Sequence, residues 1–241
     1  NNAKDWFNFS LNSKLSKIMF IFNNNNTNYY ENKINKLKNI IFQEKLGSMY
    51  NKIKRLKKIT SYIVKKTKIK IKYINLNKTI LYSKLDLTTM LVSEIPELEG
   101  IIGSYYIKKN KKISIGIREQ YKPKTVYDNI PKTKIGKILS LADKIDTIIG
   151  LLIINKFPTG SKDPYSIKRK IMGIIRIITE ANINFNIKKI LIISLKFFSK
   201  KDFQLFNKIY LYIKKKLENF LKYKKYNTKI LFSLKNTQNI N

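Results

Sequence analysis

The 241-residue sequence contains no cysteine and no histidine. Without cysteine there are no disulfides, thiolate metal sites or cysteine nucleophiles. Without histidine the commonest metal ligand is gone, and with it the side chain that titrates near neutrality. Any catalysis is therefore confined to Asp, Glu, Lys, Ser or Tyr. Arginine is scarce as well: Arg55, Arg118, Arg169 and Arg176 are the only four among 50 basic residues, which leaves 46 lysines. A phosphate-binding loop of the GxxxxGK[ST] kind is excluded, because Gly160-Ser161-Lys162 lacks the first glycine and its spacing. The chain opens Asn1-Asn2-Ala3 without a charged, apolar and cleavage-site succession. It reads as a fragment of a cytoplasmic protein. The most apolar stretch, 135–154, carries Lys137, Asp143, Lys144 and Asp146. Each of these is costly at a bilayer centre, so the stretch reads as a buried helix and no membrane partner is expected.

What is present begins with charge. Fifteen acidic residues leave a net charge of +35, a surface that attracts polyanions such as RNA, DNA or an anionic membrane face. Phosphate recognition favours the planar fork of Arg over the point charge of Lys. A Lys, Asn and Ile excess is also what drift in an AT-rich coding sequence produces, so the charge by itself leaves both readings open. A hydrophobic content of 43% suffices for one large or two small domains.

Apolar spacing is helical over most of the chain. Leu46, Met49, Ile53, Leu56, Ile59 and Ile63 recur every three or four residues, with Lys52, Lys54, Lys57 and Lys58 between them as a basic outer face. The pattern returns at Ile135, Ile138, Ala142, Ile145, Ile149 and Leu152, and again at Ile167, Ile171, Ile174 and Ile178. It recurs at Phe203, Phe206, Tyr210, Ile213, Leu217 and Phe220, and Ile34, Leu37 and Ile41 add a further turn or two. The expected class is mainly α, a helical assembly. Segment 67–74 alternates Lys and Ile and fits a half-buried strand as well as a helix, and 113–117, with Ile at every second position, has the same ambiguity. Segment 23–26 reads as a polar loop, and 158–164 as a linker between two helical regions.

Three groups of residues could carry chemistry. Asp163 followed by Pro164 predicts a helix start, with Asp163 as cap and Pro164 in the first turn. Lys162, Lys168 and Arg169 stand beside that helix end as candidate RNA-phosphate contacts, although Asp163 opposes an anion on the cap itself. Asp86, Glu94, Glu97 and Glu99, with Asp143 and Asp146 three apart on a helix, could bind Mg²⁺ or act as acid and base. The competing expectation is that they meet lysines, with Lys84 and Lys144 at hand. Tyr105, Tyr106, Tyr121 and Tyr127 could stack unpaired bases or simply fill the core.

Several blocks go beyond composition. The run Phe42-Gln43-Glu44-Lys45-Leu46-Gly47-Ser48-Met49-Tyr50 resembles FQEKLGSLY in the β subunits of bacterial-type glycyl-tRNA synthetases. Leu85-Asp86-Leu87-Thr88 through Pro96-Glu97-Leu98-Glu99-Gly100 resembles that family's ADLVTEMVGEFPELQG, and Glu119-Gln120-Tyr121-Lys122-Pro123 its EHYLP. Leu141-Ala142-Asp143-Lys144-Ile145-Asp146 is similar to LADKLD, and 158–169 to PTGSKDPFALRR, all in the family's order from about residue 2 to about residue 230.

The resemblance implies a subunit of glycine–tRNA ligase, an aminoacyl-tRNA synthetase that charges tRNA-Gly. The family is a heterotetramer of two α and two β subunits. In it the α subunit carries the glycyl-adenylate site and uses ATP and Mg, while β serves tRNA recognition. No cofactor and no catalytic residue are then expected in this chain. It also implies a division: 1–29 as the end of a preceding domain or a linker, 30–156 as a degenerate HD-like helical domain, 157–200 as a helical connection, and 201–241 as the incomplete start of an anticodon-binding region. Asp86 and Asp143 stand where an HD phosphohydrolase has its metal-binding aspartates, and Leu85 where the paired histidine would be. The fold is expected to persist without metal or hydrolase chemistry. The rivals are an HD-fold phosphohydrolase, disfavoured by the missing histidines, and a basic RNA-binding module unrelated to charging.

Overall fold

The computed structural model describes residues 31–223 apart from 126, 160–162, 184–185 and 199–202, together with Ser16. The mainly-α expectation is borne out. A 3₁₀ segment, Glu31–Lys38, leads into a small antiparallel hairpin of β1 (Ile41–Gln43) and β2 (Gly47–Ser48). Then follow α1 (Met49–Thr67), α2 (Tyr73–Tyr82), α3 (Met90–Glu94), α4 (Ile101–Tyr106) and α5 (Lys111–Glu119). The series ends with α6 (Lys134–Ile153), α7 (Ile167–Glu180), α8 (Ile187–Lys196) and α9 (Phe203–Tyr223).

Helix α6 is the axis of the assembly. Eighteen of its twenty residues are buried, because α1, α5, α7, α8 and α9 pack around it. Thr133 starts it by accepting the Gly136 N–H, and a Cβ at Gly136 would overlap the Glu119 carboxylate. The missing side chain lets Glu119 reach the Lys132 and Thr133 N–H groups, satisfying donors the helix itself leaves open. Each large-to-Ala change among Ile138, Leu139, Ile149 and Leu152 is worth about 2 to 5 kcal/mol at such buried positions.

Helix α1 follows its apolar spacing: Ile53, Leu56, Ile59 and Ile63 are all in the core. The Phe42–Ser48 block explains how it begins. Gly47 turns at φ 80°, Ser48 accepts the Asn51 N–H, and the hairpin folds Phe42 back over the helix.

Four expectations are corrected. Lys52, placed by periodicity on the outer basic face, is buried, because its ammonium is drawn into an ion pair with α6. Ile41, read as part of a helical core stripe, lies on β1 and is 65% exposed, since the hairpin ends the helical register before it. Segment 67–74 is neither one strand nor one helix: Thr67 closes α1, Lys68, at φ 53°, ends it, 69–72 form an irregular connector that packs Ile69 and Ile71 against the core, and Tyr73 and Ile74 open α2. Helix α7 starts at Ile167, beyond the turn at Pro164. Asp163 still does the capping chemistry from outside the helix, accepting the N–H groups of Ile167 at 2.8 Å and Lys168 at 2.9 Å. Segment 113–117, open between strand and helix in the sequence, lies within helix α5.

Candidate functional site

The LADKID block on α6 presents two carboxylates to the interior, and α1 supplies their counter-ions. Asp146 is fully buried. It accepts from Arg55 through Nε at 2.6 Å and Nη2 at 3.2 Å, and from the Lys52 ammonium at 3.0 Å. Lys52 also donates to Thr147 Oγ1 at 2.7 Å and lies 3.4 Å from Asp143 Oδ1. Aromatic rings close over these cations. Phe42 lies 4.4 Å from the Lys52 nitrogen, and Phe198 lies 4.2 Å from the Arg55 guanidinium carbon.

Lys84 completes the arrangement from the loop after α2. Its ammonium is 3.0 Å from Asp143 Oδ1, donates to Tyr121 Oη at 3.1 Å and sits 4.2 Å from that ring's centre. Burial alone would raise the Asp143 pKa. The Lys52 and Lys84 ammonium groups outweigh it and hold the carboxyl well below the usual carboxylate range. Three internal cations thus face two carboxylates in the space between α1 and α6.

Asp86, one of the two candidate degenerate HD aspartates, is in a different situation. Its Oδ2 accepts the Gly100 N–H at 2.6 Å, while its Oδ1 is buried without a hydrogen-bond partner. Burial pushes its pKa up to about 6, against the opposing pull of the Gly100 N–H and of Lys84. A Cβ at Gly103 would come 3.0 Å from Oδ2, so the two glycines of that block wall the carboxylate in. Leu85, in the place of the paired histidine, is a fully buried core residue. The two aspartates do not meet on a common metal-holding cluster: among the described residues no three His, Cys, Asp or Glu side chains converge in a way that could hold an ion. Asp143 and Asp146 are instead engaged by Lys52, Arg55 and Lys84. Of the two lysines expected to neutralise them, Lys84 does so, whereas Lys144 turns away to donate to Lys122 O at 2.8 Å and Ser140 Oγ at 2.7 Å.

A cleft of about 230 Å³ opens above Asp143, lined by Tyr121, Pro123, Lys124, Lys144, Ser166, Arg169 and Lys170. Gly173 on α7 makes room for it, because a Cβ there would approach Lys144 Cε to 2.7 Å. Arg169 reaches the cleft wall and donates to Ser166 Oγ, and Lys170 is anchored on Tyr165 O at 2.8 Å. Burial lowers the pKa of Lys170 and brings that of Lys144 down to about 7, with neighbouring cations adding to the effect. Four basic side chains line this cleft, and the one carboxylate at its floor, Asp143, is already neutralised.

Of the three candidate phosphate contacts, Arg169 lies in this cleft wall and Lys168 is half-buried in the first turn of α7, while Lys162 falls outside the described residues. The tyrosines do not form one stacking platform. Tyr106 is in the core and Tyr121 sits against Lys84, whereas Tyr105 is 40% and Tyr127 95% exposed. Sequence reading missed Lys52, Arg55, Lys124 and Lys170. A signal for Arg55 was present: in a chain with 46 lysines, a retained arginine marks a place where a planar fork is required. Arg176 obeys the same rule, gripping Glu180 through Nε at 2.6 Å and Nη2 at 3.2 Å.

Comparison with known proteins gives a consistent picture. A family model described as the glycyl-tRNA synthetase beta subunit matches residues 8–234. A glycine–tRNA ligase beta subunit of Buchnera aphidicola subsp. Schizaphis graminum is 38% identical over 230 residues, 93% of this chain and 33% of that protein. One from a Sulfurihydrogenibium species is 38% identical over 199 residues, covering 78% of this chain and 28% of that protein. One from Rickettsia prowazekii is 37% identical over 179 residues, 73% of this chain and 26% of its own length. The chain spans about a third of the length of the curated relatives it matches.

Proposed function

The chain belongs to the glycyl-tRNA synthetase beta-subunit family, and from that premise we propose that it supplies tRNA-binding and scaffold surface to glycine–tRNA ligase. The observation that carries the binding role is the cleft lined by Lys124, Lys144, Arg169 and Lys170, a cationic recess beside the first turn of α7. Glycyl-adenylate formation, with its ATP and Mg, falls to an α subunit in a two-α, two-β cytoplasmic enzyme, and tRNA-Gly is the nucleic-acid partner. Within that subunit, 30–156 forms the degenerate HD-like domain, 157–200 the helical connection and 201–241 the beginning of the anticodon-binding region.

Phosphate contacts at Lys162, Lys168 and Arg169 make a measurable prediction. Changing all three to Gln flattens the plot of log K for tRNA against log salt by up to roughly 2 to 3 units. The same change at Lys57, Lys58 and Lys65, on the exposed face of α1, alters the slope by less. Filter binding of tRNA-Gly across a salt series measures both. Equal losses from the two triples would mean diffuse charge and no localised site.

The chemistry of the Asp86–Asp143 region supports a scaffold without metal. The chain alone is expected to catalyse no glycine-dependent pyrophosphate exchange and no nucleotide hydrolysis, and Mg²⁺, Mn²⁺ or Zn²⁺ is expected to leave its melting temperature unchanged. A stoichiometric rise with any of these ions would overturn the metal-free reading.

A further inference from the structure

A second recess lies on another face of the molecule. It encloses about 490 Å³ between the connector after α1, the start of α2, the start of α5 and the start of α6. Its lining residues are Lys70, Ile71, Lys72, Asn75, Lys111, Lys112, Ile115, Thr133, Lys134 and Ile135. Two properties stand together. The floor is aliphatic, made by Ile71, Ile115 and Ile135. The rim carries five lysines and no carboxylate, and none of the five has a carboxylate partner among the described residues.

The backbone adds to the positive potential. Helices α2, α5 and α6 all begin at this groove, so the positive ends of three helix dipoles face it. Glu119, which reaches Thr133 at the groove's edge, is buried and already accepts from Lys132 N, Thr133 N and Thr133 Oγ1, so it offers nothing to the groove. The apolar surface continues outward. Tyr73 and Ile74, in the first turn of α2 next to Lys72 and Asn75, are 54% and 64% exposed.

We infer that this groove docks an acidic amphipathic segment of a partner protein, with its aliphatic side chains on Ile71, Ile115 and Ile135 and its carboxylates on Lys70, Lys72, Lys111, Lys112 and Lys134. Charge complementarity fixes the sign of the occupant, and the floor fixes its class. A nucleic-acid strand would bring phosphates to the rim, but it would find an aliphatic floor where single strands use aromatic stacking. A helix with Leu or Ile on one face and Glu on its flanks matches both floor and rim. This site is separate from the cleft above Asp143 and stands whether or not that cleft binds tRNA.

The test uses the full chain and a fluorescein-labelled 18-residue peptide of Leu and Glu only, with the leucines on one helical face, at 150 mM salt. The expected result is saturable binding by fluorescence anisotropy. Ile115→Ser, which changes no charge, should weaken it at least fivefold, as should Ile71→Ser. A peptide of identical composition, scrambled so that no apolar face forms, should bind at least tenfold more weakly. A 12-residue polyuridylate should bind the wild type and Ile115→Ser equally. Hydrogen exchange with the amphipathic peptide bound should show protection at the starts of α2 and α5. Equal binding of the scrambled peptide, no effect of either serine substitution in variants with unchanged circular dichroism, or protection elsewhere would overturn the inference. So would a polyuridylate affinity that falls with Ile115→Ser.

Discussion

Replacing Asp146 with Asn is expected to destabilise the chain by about 3 to 5 kcal/mol, the largest effect of any conservative change in the α1–α6 interface. The substitution keeps the shape of the side chain and removes its charge. Among the described residues, Arg55 and Lys52, both buried, are then left with Asp143 as their sole carboxylate neighbour, and only Lys52 is close to it. Taking a guanidinium out of water without a counter-ion is what makes the cost high. Urea denaturation followed by circular dichroism measures it. A companion variant separates charge imbalance from the worth of the ion pairs themselves. With Lys52→Met, Arg55→Met and Asp146→Leu combined, no charge from that set is buried, and most of the loss should be recovered. A single-site loss below about 1 kcal/mol would mean that water reaches Arg55 and that the cluster is not the closed network described above.

The second expected result concerns Asp86, whose carboxyl is raised from an ordinary value of 3.8 to about 6, chiefly by burial. A carboxyl raised in the folded state favours folding fully below pH 3.8, and that contribution is lost as the pH rises through 6. Two pH units correspond to about 3 kcal/mol. Asp86→Asn keeps a carbonyl oxygen for the Gly100 N–H and cannot ionise. The variant should match the wild type near pH 4 and exceed it near pH 7.5 by about 1 to 3 kcal/mol, the lower figure allowing for an amide N–H₂ placed where Oδ1 has no partner. Asp143 has the opposite sign: its carboxyl is depressed, so its contribution is present above the ordinary carboxylate pKa and fades only as the pH falls below it. The two effects occupy different pH ranges. A variant-minus-wild-type difference that is the same at pH 4 and pH 7.5 would show that Asp86 is not held above its normal pKa.

Much of the fold was legible because burial on a helix leaves a three-to-four spacing in the sequence. Ile53, Leu56, Ile59 and Ile63 announced α1, and 135–154 announced a helix buried nearly all round. The ambiguous segments were those in which isoleucine recurs at every second position, since that pattern fits a strand face and a short helix equally. Segment 113–117 was taken into α5 by Asn110, which accepts the Ile113 N–H, and by packing against α4 and α6. Segment 67–74 was broken instead at Lys68. The start of α7 was misplaced by three residues because the capping chemistry at Asp163 is real but is delivered across an intervening turn, with Ser166 at φ 55°.

The candidate site divides along the same line. The order of its blocks, the missing histidines and the apolar residue at position 85 lie in the chain itself. From these the family followed, and so did the expectation that a histidine-held metal centre is absent. What the sequence could not settle was the destination of each charge. Along α1, Lys52 is one lysine among many, two positions before Lys54 and five before Lys57, both of which are exposed. Its burial depends on Asp146 and Thr147, which are about ninety residues away. Lys84 pairs with Asp143 and not with the adjacent Asp86 for the same reason. A charge goes inside only where the assembled helices bring it a partner at hydrogen-bond distance, and that distance is a property of the packed interior, not of spacing along the chain.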